Sequence, residues 1–206
     1  MDEASRRAHW NAAYTSRPTS SVSWYQSSST ISRQLIHAAG VDPADRLVDV
    51  GGGASVLVDE LIDCGFQAIS VLDVSQSGLT AAQRRLAHRA RNVEWIVGDV
   101  TRWRPARPYD LWHDRAVFHF MAHESDRDAY RTALSHGVVT GGHVILGTFV
   151  GDGPDRCSDL PVRRYDVEGL AAELGSGFAL LRSAEERHHT PGGAIQPFTW
   201  GLFRRV

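Results

Sequence analysis

Lysine is missing from this 206-residue chain, and all 22 of its basic residues are arginine. That excludes a Schiff-base lysine, a pyridoxal-phosphate anchor and the phosphate-gripping lysine of a Walker A loop. Cysteine is scarce: Cys64 and Cys157 are the only two. So few argue against a disulfide framework and for a reducing, cytoplasmic compartment. Cys64 is expected on the apolar side of a helix, in the protein core, and Cys157 in a loop. No run of about 18 apolar residues occurs, so neither a spanning helix nor a membrane partner is expected. The opening MDEASRRAHW lacks the apolar stretch of a secretory signal. A net charge of −2 offers no electrostatic grip on nucleic acid.

What is present is an alternation of short apolar runs and helical patterns. Residues 46–50 (RLVDV) run into three glycines, and residues 68–73 (AISVLD) follow. Runs this short and rich in Val, Ile and Leu read as buried parallel strands. The stretch 54–64 between them reads as a crossover helix stopped by Gly65. Further strands are expected at 93–97, 109–115 and 143–150, with helices at 75–90, 126–135 and 167–174. Residues 151–164 carry Gly, Pro and polar groups and read as a long loop. Two late strands are expected at 178–183 and 198–204. Before the first strand, only a helix at 30–39 is expected, in a segment that concentrates Trp10, Tyr14, Trp24 and Tyr25. The whole reads as one α/β domain, residues 1–206. Its expected fold is a doubly wound, mostly parallel sheet with helices on both faces.

In such a sheet a ligand lies across the carboxyl ends of the strands, at the switch point. The loop Asp49-Val50-Gly51-Gly52-Gly53 lies there, followed by a helix N-terminus with free N–H groups. Asp73 ends the second strand, where a carboxylate can accept from both hydroxyls of a ribose. Asp99 ends the third, within reach of a base edge. A dinucleotide fingerprint would place its third glycine at position 56, which is Val56. The acid at Asp49 would also repel a pyrophosphate. A ligand with an ammonium beside its carboxylate suits the loop better, which favours S-adenosylmethionine over NAD.

The ordered segments LVDVGGGAS, VLDVS, VGDV and YDLWHDRAVFHF resemble the motif set of class I S-adenosylmethionine-dependent methyltransferases. The resemblance implies a seven-stranded sheet and S-adenosylmethionine as cofactor, with S-adenosylhomocysteine as product. It implies that Asp49, Gly51, Gly52 and Gly53 line the methionine end and that Asp73 and Val74 meet the ribose. Asp99 and Val100 would then meet the adenine. The N-terminal HWNAAY and SWYQ are similar to the cofactor-covering segment of thiopurine- and tellurite-type relatives. Residues 1–45 would thus cover the pocket, with Trp10, Tyr14 and Trp24 closing over the methionine end, while residues 46–206 form the sheet core.

A sulfonium methyl is already electrophilic, so the protein must align the reacting atoms and exclude water. A general base is needed only for an acceptor that arrives protonated. Strand alternation puts His113 and Arg115 on one face of the fourth strand and Asp114 on the other. Asp114, which would also touch the cofactor, and His119 are the candidate catalytic residues, with His123 behind them. The histidines lack the accompanying spacing of a zinc site, so no metal is expected. The segment Asp114–His119 partly resembles that of elongation-factor-type lysine methyltransferases, with Arg115, Ala116, Val117 and His119 as departures. The reading is methyl transfer to a heteroatom of a small-molecule acceptor. A protein-lysine methyltransferase is the nearest alternative. An NAD(P)-dependent oxidoreductase and a non-catalytic nucleotide-binding scaffold stand further off.

Overall fold

The computed structural model describes all 206 residues. Strands β1 (Arg46–Val50), β2 (Ala68–Asp73), β3 (Val93–Val97), β4 (Tyr109–Arg115) and β5 (Val138–Phe149) are parallel. Two further strands, β8 (Phe178–His189) and β9 (Ile195–Arg205), run antiparallel and close the sheet in the order β3-β2-β1-β4-β5-β9-β8. The order reverses between β1 and β4, the switch point where ligands bind. The seven-stranded, mostly parallel sheet is the one the motifs implied.

Alternation along the strands builds two cores. Val48, Val50, Trp112, Val144, Leu146 and Phe203 point to the face covered by α5 (Glu124–Gly137) and α6 (Val167–Leu174). Leu47, Leu111, Ile145, Trp200 and Leu202 point to the opposite face, under α2 (Thr30–Ala39), α3 (Leu57–Asp63) and α4 (Gln76–Leu86). Near the carboxyl ends polar residues interrupt the second pattern, at Asp49, Asp73, His113 and Arg115. That places a polar site at one edge of an otherwise apolar layer.

The structure corrects several expected boundaries. An additional helix, α1 (Glu3–Ser16), precedes the expected α2. Asp2 caps it, accepting from the Ser5 N–H at 2.8 Å, and Glu3 pairs with Arg7 one turn on. None of its residues is fully buried, and Trp10 and Tyr14 alone are too few to make an apolar stripe for periodicity to detect. Arg6, Trp10 and Tyr14 recur every fourth residue on the side that faces the strand tips. β5 starts at Val138, five residues before the expected 143, and takes in Gly141 and Gly142. The loop 151–164 folds part of its length into a small hairpin, β6 (Arg156–Cys157) and β7 (Leu160–Pro161). β8 runs six residues further than expected, because an edge strand with exposed charges shows no buried alternation. Cys64 is exposed at the end of α3, and it is Cys157 that is buried.

Candidate active site

The cavity at the strand tips has a volume of about 360 Å³, within the range of small-molecule sites. Its floor is the glycine loop after β1. Gly51 has φ +70° and donates its N–H to the Leu72 carbonyl at 2.7 Å, tying the loop to β2. A Cβ at Gly52 would stand 2.5 Å from Asp49 Oδ2 and 2.7 Å from Val71, so only glycine lets the backbone cross there.

The three expected acids converge on this cavity, since Asp49, Asp73 and Asp99 all line it. Asp73 accepts from the Ser75 N–H at 2.7 Å. Burial pushes its pKa up to about 7, partly offset by that bond, and nearby Asp49 raises it further. Asp99 Oδ1 accepts from the Thr101 N–H at 2.9 Å and its hydroxyl at 2.7 Å. Its Oδ2 takes a charged bond from Arg6 Nη1 at 2.9 Å, while Arg6 Nη2 reaches Asp126 at 2.9 Å. Thus α1 is latched across the β3 tip to the start of α5.

The roof is aromatic. Trp10 meets Trp24 and Phe120 edge-on, with centroids 5.5 and 5.2 Å apart, and Tyr14 meets Trp24 at 5.9 Å. The Tyr14 side chain sits against Gly53 and Gly78. Burial, then Asp73, pushes its phenol well above the usual tyrosine range. Asn11 anchors this helix, its Oδ1 accepting from the Ser75 hydroxyl at 2.9 Å and the Ser77 N–H at 3.1 Å.

Towards β4 the lining changes. Asp49 Oδ1 lies 2.7 Å from His113 Nδ1, and His113 Nε2 lies 2.9 Å from the Ser32 hydroxyl. A carboxylate can only accept, so Nδ1 carries the proton and Nε2 accepts from Ser32. The three are buried and all line the cavity. Beside them Arg115 donates from Nη1 to the Trp24 carbonyl at 3.0 Å.

A family model described as a methyltransferase domain matches residues 47–142. That stretch spans β1 to the glycines of β5 and so holds the strand tips around the cavity. No curated protein sequence matches the chain. Among solved structures, a SAM-dependent methyltransferase from Anabaena variabilis superposes with a TM-score of 0.76 at 15% identity, covering 99% of this chain and 95% of its own. A protein studied for the conversion of a disulfide bond into a thioacetal group during echinomycin biosynthesis gives 0.74 at 18% identity, over 97% and 92%. The Burkholderia thailandensis 1,6-didemethyltoxoflavin-N1-methyltransferase, holding 1,6-didemethyltoxoflavin and S-adenosylhomocysteine, gives 0.69 at 16% identity, over 98% and 85%. The fold is that of the class I S-adenosylmethionine-dependent methyltransferases along the whole chain.

Most of the expected lining is present: Trp10, Tyr14, Trp24, Gly51, Gly52, Val74 and Val100 join the three acids around the cavity. Gly53 lies just behind it, under Tyr14. The two residues expected to be catalytic do not line it. Asp114 points to the opposite sheet face, where it accepts from the Tyr130 hydroxyl at 2.5 Å and the N–H groups of Val117 and Phe118. Burial pushes it up to about 6 despite those bonds. His119 is buried between Phe120 and Phe149, with centroids at 4.5 and 4.7 Å and both ring nitrogens unpartnered. Burial, then the Arg115 charge, pushes it down to about 3, so it is neutral. His123, the lesser candidate, does line the cavity.

Sequence reasoning missed Arg6, Ser32, His113, Arg115 and Asp126 as lining residues. For His113 and Arg115 the signal was available: both share the strand face of Asp49, whose neighbour in register is His113. For Arg6 the four-residue spacing to Trp10 and Tyr14 was the clue. Nothing local marks Ser32 or Asp126. No three metal-ligating side chains come together in the fold, and none of its helices is long and apolar enough to cross a membrane.

Proposed function

We propose that this chain transfers a methyl group from S-adenosylmethionine to a heteroatom of a small-molecule acceptor by in-line displacement. The observation that carries the reading is the convergence of Asp49, Asp73 and Asp99 on one crevice whose floor is glycine backbone. These residues suit the cofactor. Asp73, whose Oδ1 is held by the Ser75 N–H, would accept ribose hydroxyls through Oδ2. Gly51 and Gly52 line the cavity with main chain alone. Asp99 and Val100 stand where an adenine edge needs an acceptor and a wall, and Arg6 would then lean onto Asp126. When bound, the cofactor supplies an electrophilic methyl group on a positively charged sulfur. The Trp10, Tyr14, Trp24 and Phe120 rings exclude water and present π-faces that favour such a cation. An acceptor that arrives protonated meets Ser32, whose hydroxyl can pass the proton to His113 Nε2 while Asp49 stabilises the imidazolium.

A small acceptor is favoured over a protein side chain because α1 and the 151–164 segment both stand over the crevice: Trp10 and Tyr14 line one part, Cys157, Leu160 and Pro161 another. Both cysteines are free thiols, which fits a reducing cytoplasm. Nucleic acid is not the expected substrate of a chain with net charge −2. The test is calorimetry of the purified chain with S-adenosylhomocysteine and, separately, with NAD. Saturable binding of the first alone is expected, followed by turnover of S-adenosylmethionine with a small-molecule panel. Binding of NAD alone would overturn the reading in favour of hydride chemistry. Cofactor binding with no turnover on any acceptor would leave only a nucleotide-binding scaffold.

A further inference from the structure

Asp49, His113 and Ser32 form one hydrogen-bonded chain drawn from β1, β4 and α2. All three are buried, and all three line the cavity. Asp49 Oδ1 holds the proton on His113 Nδ1, so Nε2 is the basic nitrogen and the Ser32 hydroxyl donates to it. Asp49 Oδ2 lies beneath the glycine loop, 2.5 Å from where a Gly52 Cβ would stand. The chain therefore ends at the Ser32 oxygen. Ser32 is firmly placed. Glu60 accepts from the Ser28 hydroxyl at 2.8 Å and the Ser29 N–H at 3.0 Å where α2 begins, and Leu35 and Ile36 bury the next turn. His188 shows what a purely structural arrangement looks like. It too is buried, but its Nε2 ends on the Ser23 carbonyl, away from the cavity lining.

A relay of this kind serves an acceptor that arrives with a proton. The surroundings narrow the class further. Val22, Trp24, Tyr25, Phe120, Leu160 and Pro161 line the same cavity with apolar and aromatic surface. Both arginines that line it are already answered. Arg115 faces the Glu186 carboxylate at 4.0 Å and donates to the Trp24 carbonyl at 3.0 Å. Arg6 pairs with Asp99 and Asp126. Asp49 in turn is held by His113. An ionic acceptor would be buried without a counter-charge, whereas a neutral one costs little to bury. An imidazole takes a proton from an aromatic hydroxyl, with the acidity of a tyrosine, far more readily than from an aliphatic alcohol. A thiol ionises closer to neutral pH by itself and has less need of a relay.

We propose that the acceptor is a neutral aromatic hydroxyl compound, whose proton Ser32 receives and passes to His113 while Asp49 fixes the tautomer. The proposal rests on the methyl-transfer reading above. The acceptor oxygen bonds the methyl carbon as the methyl–sulfur bond breaks and leaves its electron pair on sulfur. The acceptor proton moves to Ser32 Oγ, the Ser32 proton moves to His113 Nε2, and Asp49 pairs with the imidazolium. Ser32 touches the acceptor; His113 and Asp49 act through it.

The probe is 4-nitrophenol, whose ionised form absorbs apart from its neutral form. It is titrated into the full chain saturated with S-adenosylhomocysteine, at a pH below its own pKa. The phenolate band is expected to grow saturably with binding. Ser32→Ala and Asp49→Asn are expected to bind 4-nitrophenol without that band. In Asp49→Asn the reason is tautomeric: an amide that donates to Nδ1 moves the ring proton to Nε2. Both variants should bind S-adenosylhomocysteine within about threefold of the parent, which also reports that they fold. With S-adenosylmethionine, both should turn over 4-nitrophenol at least about a hundredfold more slowly, and 4-nitrothiophenol, already ionised, at nearly the parent rate. A parent that binds S-adenosylhomocysteine but ignores 4-nitrophenol, or binds it without the phenolate band, overturns the proposal and leaves the donor reading intact. So does a band that survives in Ser32→Ala. At least tenfold weaker S-adenosylhomocysteine in Asp49→Asn overturns it as well, because Asp49 would then hold the cofactor. A parent that binds no S-adenosylhomocysteine removes the donor reading and this proposal together.

Discussion

Asp49 and Asp114 lie on adjacent strands, one register step apart, since Asp49 pairs with His113 and Val50 with Asp114. Both are buried and both accept hydrogen bonds from a neighbouring ring. Only Asp49 faces the cavity. Asp114 spends its oxygens on Tyr130 and on the backbone of the turn after β4, holding that turn against α5. The comparison shows that burial and a shifted carboxyl do not define a site. The strand face decides, because side chains one position apart point to opposite sides of a sheet.

The sharpest way to break this comparison is to remove each acid's partners. Asp114→Ala leaves the Tyr130 hydroxyl and two backbone N–H groups without an acceptor and should cost about 3 kcal/mol or more of stability. Urea denaturation measures it, and the folded fraction should still bind S-adenosylhomocysteine. A stable Asp114→Ala chain that no longer binds would move Asp114 back to the site. On the cavity side, Asp73→Ala should cost less stability, since only the Ser75 N–H loses its acceptor, and weaken S-adenosylhomocysteine by about 1.5–3 kcal/mol, through lost charge-assisted bonds. Calorimetry reads that directly, and unchanged affinity would reject the ribose contact.

A pH series sharpens it further. The Asp73 carboxyl titrates at about 7 in the folded chain, raised chiefly by burial. Ribose hydroxyls pair best with its ionised form, so affinity should be full above that value and fall by about tenfold per pH unit below it. Asp73→Asn should bind weakly with a flat profile. The smallest effect is expected at the latch. Arg6→Met frees Asp99 for an adenine amino group and should tighten S-adenosylhomocysteine by about threefold, the scale of one partly exposed ion pair.

These expectations separate what the sequence could carry from what it could not. The core strands, the glycine loop and the three acids were legible because short-range chemistry marks them: Val-rich runs, glycines in a row, an acid at each strand end. The helix at Glu3–Ser16 was not, because a lid without fully buried residues obeys no apolar period. The length of β8 was hidden for the same reason, its outward charges masking an edge strand. His119 misled because a histidine beside a strand end looks reactive in sequence, whereas here aromatic rings enclose it and leave both nitrogens idle. Ser32 joined His113 only through packing across 81 positions, a contact no local pattern encodes. Arg115 was visible as a residue but its surroundings were not, since its bond to the Trp24 carbonyl spans 91 positions.

The account stands most directly on where an adenosyl ligand lies. A crystal structure of the chain with S-adenosylhomocysteine should show the ribose hydroxyls on Asp73, the adenine between Asp99 and Val100, and the amino-acid end over Gly51 and Gly52. Arg6 should be turned onto Asp126. Ligand density on another part of the surface, with Trp10 and Tyr14 still filling the strand tips, would contradict it.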